Sequence, residues 1–382
     1  MPVLAFGANL HGQIPGQDSL TVSSPVTCPG CIAVAAASWS QAVFRDSTPA
    51  PTLRGLPLGP DSLDLASART WLGQDSFVAA LLHDGHILRF DDGNRSAEKY
   101  SLASMNSRGE LLVVPGPSSL PLFSFPPPLT LTHPTTESNP LELRLYPSVA
   151  ALFAASAPSS SPPASPTLFT LPAFPSSPSS PEHIHLLSSG ASHSLLLALP
   201  SHRLFSLGDN RFGQCGAPSL SPPSSSAPTL NRIEALDGLY PVEIACGAFH
   251  SAVRTQDGSV YVFGTDKEGQ GGGIGAGCEP LLVELGLEGD ESGLIGGDGD
   301  DEEVEVRQVV CGAEHTVLLT TKGEVWVAGA NHSGQLGLGD IASRRLFVRH
   351  PSFGARSQGA EGYLGRAIKV VCSRWTTYVE TE

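Results

Sequence analysis

Short apolar runs separated by tight polar turns recur along this chain. In residues 309 to 340, VVCGAEHTVLLTTKGEVWVAGANHSGQLGLGD, an apolar run ends at Cys311-Gly312. A second runs from Thr316 to Thr320 into a Lys322-Gly323 turn, and Val325 to Ala328 returns before a Gly-rich loop. Runs of this length joined through a turn predict an antiparallel hairpin. The pattern repeats at 244 to 273, with Cys246, His250, Gly258, Gly264 and Gly269-Gln270 on Cys311, His315, Gly323, Gly329 and Gly334-Gln335. A third copy, 187 to 217, carries His193, Gly208 and Gly213-Gln214. Self-similarity of this kind is the sequence signature of a repeat architecture, and hairpin modules bury their apolar faces by packing radially as blades.

Weaker copies fill the rest of the chain. Aligning Ala42-Val43 with Ala252-Val253 puts Ser40 in the histidine slot and Trp39 beside it. Asp84-Gly85 on Asp257-Gly258 puts Phe77 there, YPSVAALFA puts Ser148 there, and VVCSRWTTYVETE puts Thr376 there. The slots Ser40, Phe77, Ser148, His193, His250, His315 and Thr376 predict seven blades, although their irregular spacing also admits six or eight. The N-terminal VLAFGANLHGQIPG is the second half of a repeat, with Gly7, Asn9 and Gly12-Gln13 on Gly329, Asn331 and Gly334-Gln335, and the last residues are a first half. The expectation is an all-β seven-bladed propeller of four-stranded antiparallel blades, a single domain over 1–382, closed by N- and C-terminal strands sharing one blade. Closure removes the exposed sheet edges of an open array.

Composition agrees. Gly 41 and Pro 33 in 382 residues favour turns, and 15% charged residues leave helices without polar faces. Segments at about 156–181 and 217–228 are Ser/Pro-rich, and 286–305 carries nine acidic residues without a basic one before Arg307. All three read as disordered insertions. For the acidic one, a solvated tether and a docking strip for a basic partner both remain open. A net charge of −15 opposes direct binding to a phosphate backbone. No basic, apolar leader opens the sequence and no eighteen apolar residues run together, so the expectation is no membrane contact and a place in the cytoplasm, with the nucleus as a second.

The run CGxxHT, a hairpin and GxNxxGQLGxG resembles the repeat of the regulator of chromosome condensation family, whose members are seven-bladed propellers. The likeness is strong over 184 to 340 and at both ends, and weak from 60 to 180. A compact propeller without a basic tail is similar to the fungal alpha-tubulin suppressor proteins. That resemblance implies a non-enzymatic adaptor that pairs with a small zinc- or iron-binding electron carrier in tRNA wobble-uridine modification and diphthamide synthesis. The chromatin member of the family implies the alternative, a guanine-nucleotide exchange factor for a Ran-type small GTPase. Of the residues between repeat Gly and His, Ala191-Ser192, Ala248-Phe249 and Ser38-Trp39 lack the acidic character of that factor, and only Ala313-Glu314 keeps an acid.

Other chemistry is thin. His193, His250 and His315 share one repeat position, which suits one structural hydrogen bond per blade better than a catalytic constellation. Cys28-Pro-Gly-Cys31 reads as a solvated loop, or as a redox pair or half a zinc site lacking a second pair. Residues 269 to 277, GQGGGIGAG, fall in the repeat register rather than at a helix start, against a phosphate loop. No catalytic residue, cofactor or metal ligand is therefore expected. Partner-binding candidates are the residues ahead of the histidine slot, which should ring one mouth of the propeller: Trp39, Ser192, Phe249, Glu314, Arg374 and Trp375. The competing reading makes the aromatic members a core plug of the channel. Trp and Arg are favoured at interface centres.

Overall fold

In the computed structural model, residues 2–38, 40–46, 51–55, 67–74, 76–116, 142–155, 165–171, 182–217, 230–273, 275, 277–285, 304–354 and 361–382 are described. They form seven antiparallel sheets, five of four strands and two of three. Blade 1 joins the chain's two ends, in the order Thr21–Thr27, Val3–Ala8, Thr376–Thr381, Ala367–Cys372. Val3 pairs with Glu380 and Gly7 with Thr376. Blade 2 is Ala33–Ala37, Gln41–Arg45 and Thr52–Gly55, and blade 3 is Ala68–Leu72, Ala79–Leu82 and Ile87–Arg89. Blade 4 runs Tyr100–Met105, Leu111–Pro115, Glu142–Tyr146 and Thr167–Thr170. Blade 5 begins with His183–Ser189 and His193–Leu199, blade 6 with Pro241–Cys246 and His250–Thr255, and blade 7 with Val306–Cys311 and His315–Thr320.

The core lies between blades. Leu4 and Phe6 of blade 1 pack with Val317, Leu319 and Val327 of blade 7, while Val3, Ala5 and Tyr378 on the other face pack with Val34 and Phe44 of blade 2. Alternation along each strand sends neighbouring side chains to opposite faces, so one strand feeds two cores. The closing blade is therefore buried on both sides, as the apolar pattern of VLAF requires.

The repeated histidines explain how blades are joined. His193 Nε2 lies 2.9 Å from Ser251 Oγ of the next blade, and Ser251 Oγ donates to Gln214 O at 2.8 Å. His250 meets Thr316 Oγ1 at 3.0 Å, which donates to Gln270 O, and His315 meets Thr377 Oγ1 at 3.1 Å, which donates to Gln335 O. Each hydroxyl's one proton goes to the carbonyl, so the imidazole must donate from Nε2–H. All three rings are then neutral, with a bare Nδ1 that finds no partner among the described residues. The ring lies over the glycine that precedes it. A Cβ at Gly247 would stand 2.1 Å from His250 Cε1, and one at Gly312 would stand 1.9 Å from His315 Cε1.

The register corrects three expected slots. Pairing with the glycine of the following strand puts His193 opposite Gly208, His250 opposite Gly264, His315 opposite Gly329 and Thr376 opposite Gly7. In blade 2 the partner of Gly55 is Gln41, not Ser40. In blade 3 the equivalent residue is Ala79, opposite Arg89, not Phe77. In blade 4 it is Glu110, whose carbonyl accepts from Asn106 N as His250 O does from Gly247 N. Ser148 opens the helix Val149–Ala155 instead, because YPSVAALFA is an apolar run without the turn that makes a hairpin. Where the slot is Gln41 or Thr376, a serine, Ser38 or Ser373, stands in place of the glycine. A shorter or more flexible side chain no longer needs the cleared space.

The Ser/Pro-rich stretch 156–181 is not wholly insertion. Thr167–Thr170 inside it pairs with Glu142 to Leu145 as the outer strand of blade 4. The rest of that stretch, 218–228 and 286–303 lie outside the described residues.

Two outcomes are expected. Gly247→Ala should lower stability by about 1–3 kcal/mol through overpacking. Because the nearest clash is with the His250 ring, a second being 2.8 Å from Gly312 O, adding His250→Thr should cost less than it does alone, giving a sub-additive double-mutant cycle in denaturant melts; additive losses would contradict the contact. Burial holds His193 at about 4 and His250 and His315 at about 3, from an ordinary 6.5. The unfolded chain takes up protons below about pH 6.5 while the folded chain does not. Stability is therefore complete above that pH and falls as pH drops toward 4, each ring adding up to about 1.4 kcal/mol per unit. Melts from pH 8 to 5 should show this slope, reduced in His250→Gln.

Candidate functional site

The Gly-rich loops that follow the third strand in blades 1, 5, 6 and 7 are built alike from their bases. In Asn9-Leu-His-Gly-Gln13, Asn9 Oδ1 accepts from Ile14 N at 2.8 Å, and Gln13 Oε1 accepts from His11 N at 2.9 Å. Asn210 and Gln214 do the same for Cys215 N and Phe212 N, and Asn331 and Gln335 for Leu336 N and Ser333 N. In blade 6 Asp266 replaces the asparagine, accepting from Gly271 N at 2.7 Å, while Gln270 accepts from Glu268 N. The four glutamines are essentially buried. The glycine before each glutamine has positive φ, 76° at Gly334 for example, which only glycine adopts without strain.

These constant bases hold unlike tips: Leu10-His11, Arg211-Phe212, Lys267-Glu268 and His332-Ser333. The tips stand beside the residues ahead of the histidine slot, because each loop's first N–H bonds to the carbonyl of that residue. Asp209 N donates to Ser192 O, Thr265 N to Phe249 O, Ala330 N to Glu314 O and Ala8 N to Trp375 O, all at 2.8 or 2.9 Å. One mouth of the propeller thus combines both sets.

The predicted residues fare differently in this setting. Phe249 is half-buried and meets Phe212 edge to face across the blade 5/6 junction, ring centroids 5.2 Å apart. Phe212 itself is 48% exposed. Ser192 is buried beneath Asp209, its Oγ 3.3 Å from Oδ2, and Asp209 is bridged by Arg211 at 2.7 Å. Glu314 is half-buried. Arg374 is exposed, its guanidinium 5.0 Å above the ring of the half-buried Trp375. Trp39 lies outside the described residues. With Gln41 in the slot, Trp39 aligns with Arg374 and Ala248, and Ser40 with Phe249 and Trp375, so the two tryptophans do not share a repeat position.

Phe212 is the residue that the repeat alignment passed over. Its position varies between copies, and the available signal was a large aromatic directly before Gly-Gln in a loop.

Beneath the mouth, the axis is open as a cavity of about 370 Å³. Residues at the ends of the inner strands, or next to the end in the case of Trp71, ring it in equivalent positions: Ala37, Trp71, Met105, Ser189, Cys246, Cys311 and Cys372. Burial pushes the thiols of Cys246 and Cys372 up to about 12, and that of Cys311 well above its ordinary value, so all three stay protonated. Cys28 is buried in the core between blades 1 and 2, with its thiol raised to about 12, rather than in a solvated loop. Among the described residues no three His, Cys, Asp or Glu side chains lie close enough to hold a metal ion. The three slot histidines are at most 1% exposed and cannot reach a substrate.

Comparison with known proteins finds known repeats in this chain. Models of the regulator of chromosome condensation (RCC1) repeat match residues 201–254, 242–270 and 306–335. The X-linked retinitis pigmentosa GTPase regulator homolog of Caenorhabditis elegans is 36% identical over 156 residues, 40% of this chain and 10% of that protein. The human RCC1 domain-containing protein 1 is 28% identical over 221 residues, 50% of this chain and 55% of that one. The chain thus spans about half or less of the length of these curated relatives. Among solved structures, Prp20p from Saccharomyces cerevisiae, reported with its binding properties to Gsp1p and histones, superposes with a TM-score of 0.67 at 14% identity, over 99% of this chain and 90% of that one. Human WBSCR16 does so at 0.62 and 15%, over 99% and 98%. Both likenesses are of fold.

Since Phe212 is presented to solvent, Phe212→Ala should change stability by no more than about 0.5 kcal/mol. A loss of 3 kcal/mol or more, on the order of a buried phenylalanine, would show that the mouth is core.

Proposed function

We propose that this chain, a propeller of regulator of chromosome condensation repeats, is a non-enzymatic scaffold that binds a protein partner at the mouth ringed by Phe212, Phe249, Glu314, Arg374 and Trp375. The observation that carries the reading is the contrast within the loops. Asn, Asp and buried Gln side chains hold four loop bases in one geometry, while the tips they present are apolar, aromatic, acidic and basic in turn. A rigid base with free choice at the tip is what a recognition surface requires. An exposed aromatic backed by a second, with Arg374 over Trp375 across the mouth, has the make-up of an interface centre.

For the partner, the resemblance to the alpha-tubulin suppressor proteins favours an adaptor role: pairing with a small zinc- or iron-binding electron carrier in tRNA wobble-uridine modification and diphthamide synthesis, in the cytoplasm and nucleus. The second reading is nucleotide exchange on a Ran-type GTPase. The fold shared with Prp20p and the acid Glu314 at the mouth favour it.

One purified chain tests both. The scaffold reading expects saturable binding to the carrier, weakened about 30-fold or more by Phe212→Ala or Trp375→Ala, a hot-spot loss of ~2 kcal/mol, and no acceleration of fluorescent GDP release from the GTPase. Accelerated release that Glu314→Ala abolishes would replace the adaptor by the exchange factor. Binding of either partner that is indifferent to both aromatic substitutions would move the interface away from this mouth.

A further inference from the structure

Neither the blade relay nor the mouth employs Cys28-Pro-Gly-Cys31, which forms the seam between the closing blade and blade 2. Cys28 N donates to Val3 O at 2.8 Å where the outer strand of blade 1 ends, and Ile32 N donates to Arg45 O at 2.7 Å where blade 2 begins. Between them the chain reverses. Cys31 N donates to Cys28 O at 3.3 Å, and Gly30 has a φ of 74°. Proline at the second position and a positive φ at the third are the marks of a type II turn, which holds its first and fourth Cα atoms within about 7 Å. A disulfide spans Cα pairs of roughly 4.4–6.8 Å.

The side chains agree with the backbone. Both pack on the core between blades 1 and 2, Cys28 as a member of it at 2% exposure and Cys31 against its edge. The Cys31 sulfur lies at the exposed side, 3.7 Å from Pro29 O. One thiol is thus open to a reagent, and the other is open to its neighbour. Burial lifts Cys28 to about 12, with the charge of Cys31 adding to the rise, and lifts Cys31 above its ordinary 9.0. Few thiolates form at neutral pH, so exchange at this pair is slow. Its equilibrium is another matter: stabilised thiolates make a disulfide easy to reduce, and disfavoured ones make it hard. An uncharged bridge suits this apolar seam better than a thiolate does.

We propose that Cys28 and Cys31 are a redox-active pair that exchanges with small disulfides of the glutathione type. The Cys31 thiolate attacks one sulfur of the disulfide RSSR, expels one thiolate RS⁻ and is left as a mixed disulfide. Cys28 then gives up its proton and attacks the Cys31 sulfur, and the bond to the second RS⁻ breaks. Two protein thiols are oxidised to one disulfide, RSSR is reduced to two RSH, and the two protons pass from the protein to the released thiolates. This activity is independent of the scaffold reading. The seam leads into Ala33, at the far end of the inner strand from Ala37, which lines the axis beneath the mouth.

Equilibration of the full chain in glutathione buffers from wholly reduced to wholly oxidised tests it, with acid quenching, alkylation of the unfolded chain and peptide mapping by mass. The expected result is a loss of two hydrogens in the peptide holding Cys28 and Cys31, with no glutathione retained on Cys31 and full reversal by dithiothreitol. Cys28→Ala should trap glutathione on Cys31. Cys31→Ser, at a half-buried position, should leave Cys28 a free thiol in the oxidised buffer. Glutathione retained on Cys31 of the unaltered chain, or both thiols alkylated at every ratio, would overturn the proposal. Oxidation of Cys28 that persists in Cys31→Ser would do the same, because the two would then be separate cysteines and not a pair.

Discussion

The hydrogen-bond relay from a buried imidazole to a hydroxyl and on to a loop carbonyl is the interaction on which the rest of this propeller depends. It runs His193–Ser251–Gln214, His250–Thr316–Gln270 and His315–Thr377–Gln335. Each relay reaches from one blade to the next and back to the first blade's own loop, so it fixes blade spacing and loop position together. Its last member crosses into the blade shared by the two chain ends, which makes closure part of the same network. The relay also dictates composition: a glycine is needed under each ring, a hydroxyl follows each slot, and the imidazole must stay neutral.

The same relay sets what the loops can do. Gln214, Gln270 and Gln335 receive the hydroxyl proton on their backbone carbonyls and hold the loop N–H with their side chains. Between those two bonds the loop base has little freedom, and the two residues before Gly-Gln project from it. Variation there costs the fold almost nothing, which is why Arg211-Phe212 and Lys267-Glu268 occupy one structural position. Blades 2 to 4 lack the relay and are joined by other means. Phe77 N donates to Gln41 Oε1 at 2.6 Å across blades 2 and 3, and Arg69 reaches Ser101 O across blades 3 and 4.

Much of this was legible in the residues, and the limits have a physical cause. Where Gly and His occur together, as at Gly247 and His250, steric demand ties two positions three residues apart and the register follows. Where they are replaced, the alignment rests on apolar alternation, which tolerates slips. Ser40 was read for Gln41 and Phe77 for Ala79 in this way, and an apolar helix beginning after Ser148 passed for a strand. The outer strand Thr167–Thr170 was hidden because only Phe169 of its four residues packs inward, which leaves no apolar alternation, and Ser and Pro surround it. At the mouth, the positions ahead of the slot were identifiable from the repeat. The Phe212–Phe249 contact was not, since it joins variable positions of two blades.

The central claim is that three neutral Nε2–H imidazoles link the blades. Heteronuclear NMR of chain labelled with ¹⁵N at histidine reads this directly through the two ring-nitrogen shifts and their couplings to the ring protons. The account predicts that His193, His250 and His315, assigned by single replacements, are all Nε2–H tautomers at pH 7 and remain neutral at pH 5, where exposed histidines are protonated. An Nδ1–H tautomer, or protonation of these rings with the exposed ones, would contradict it.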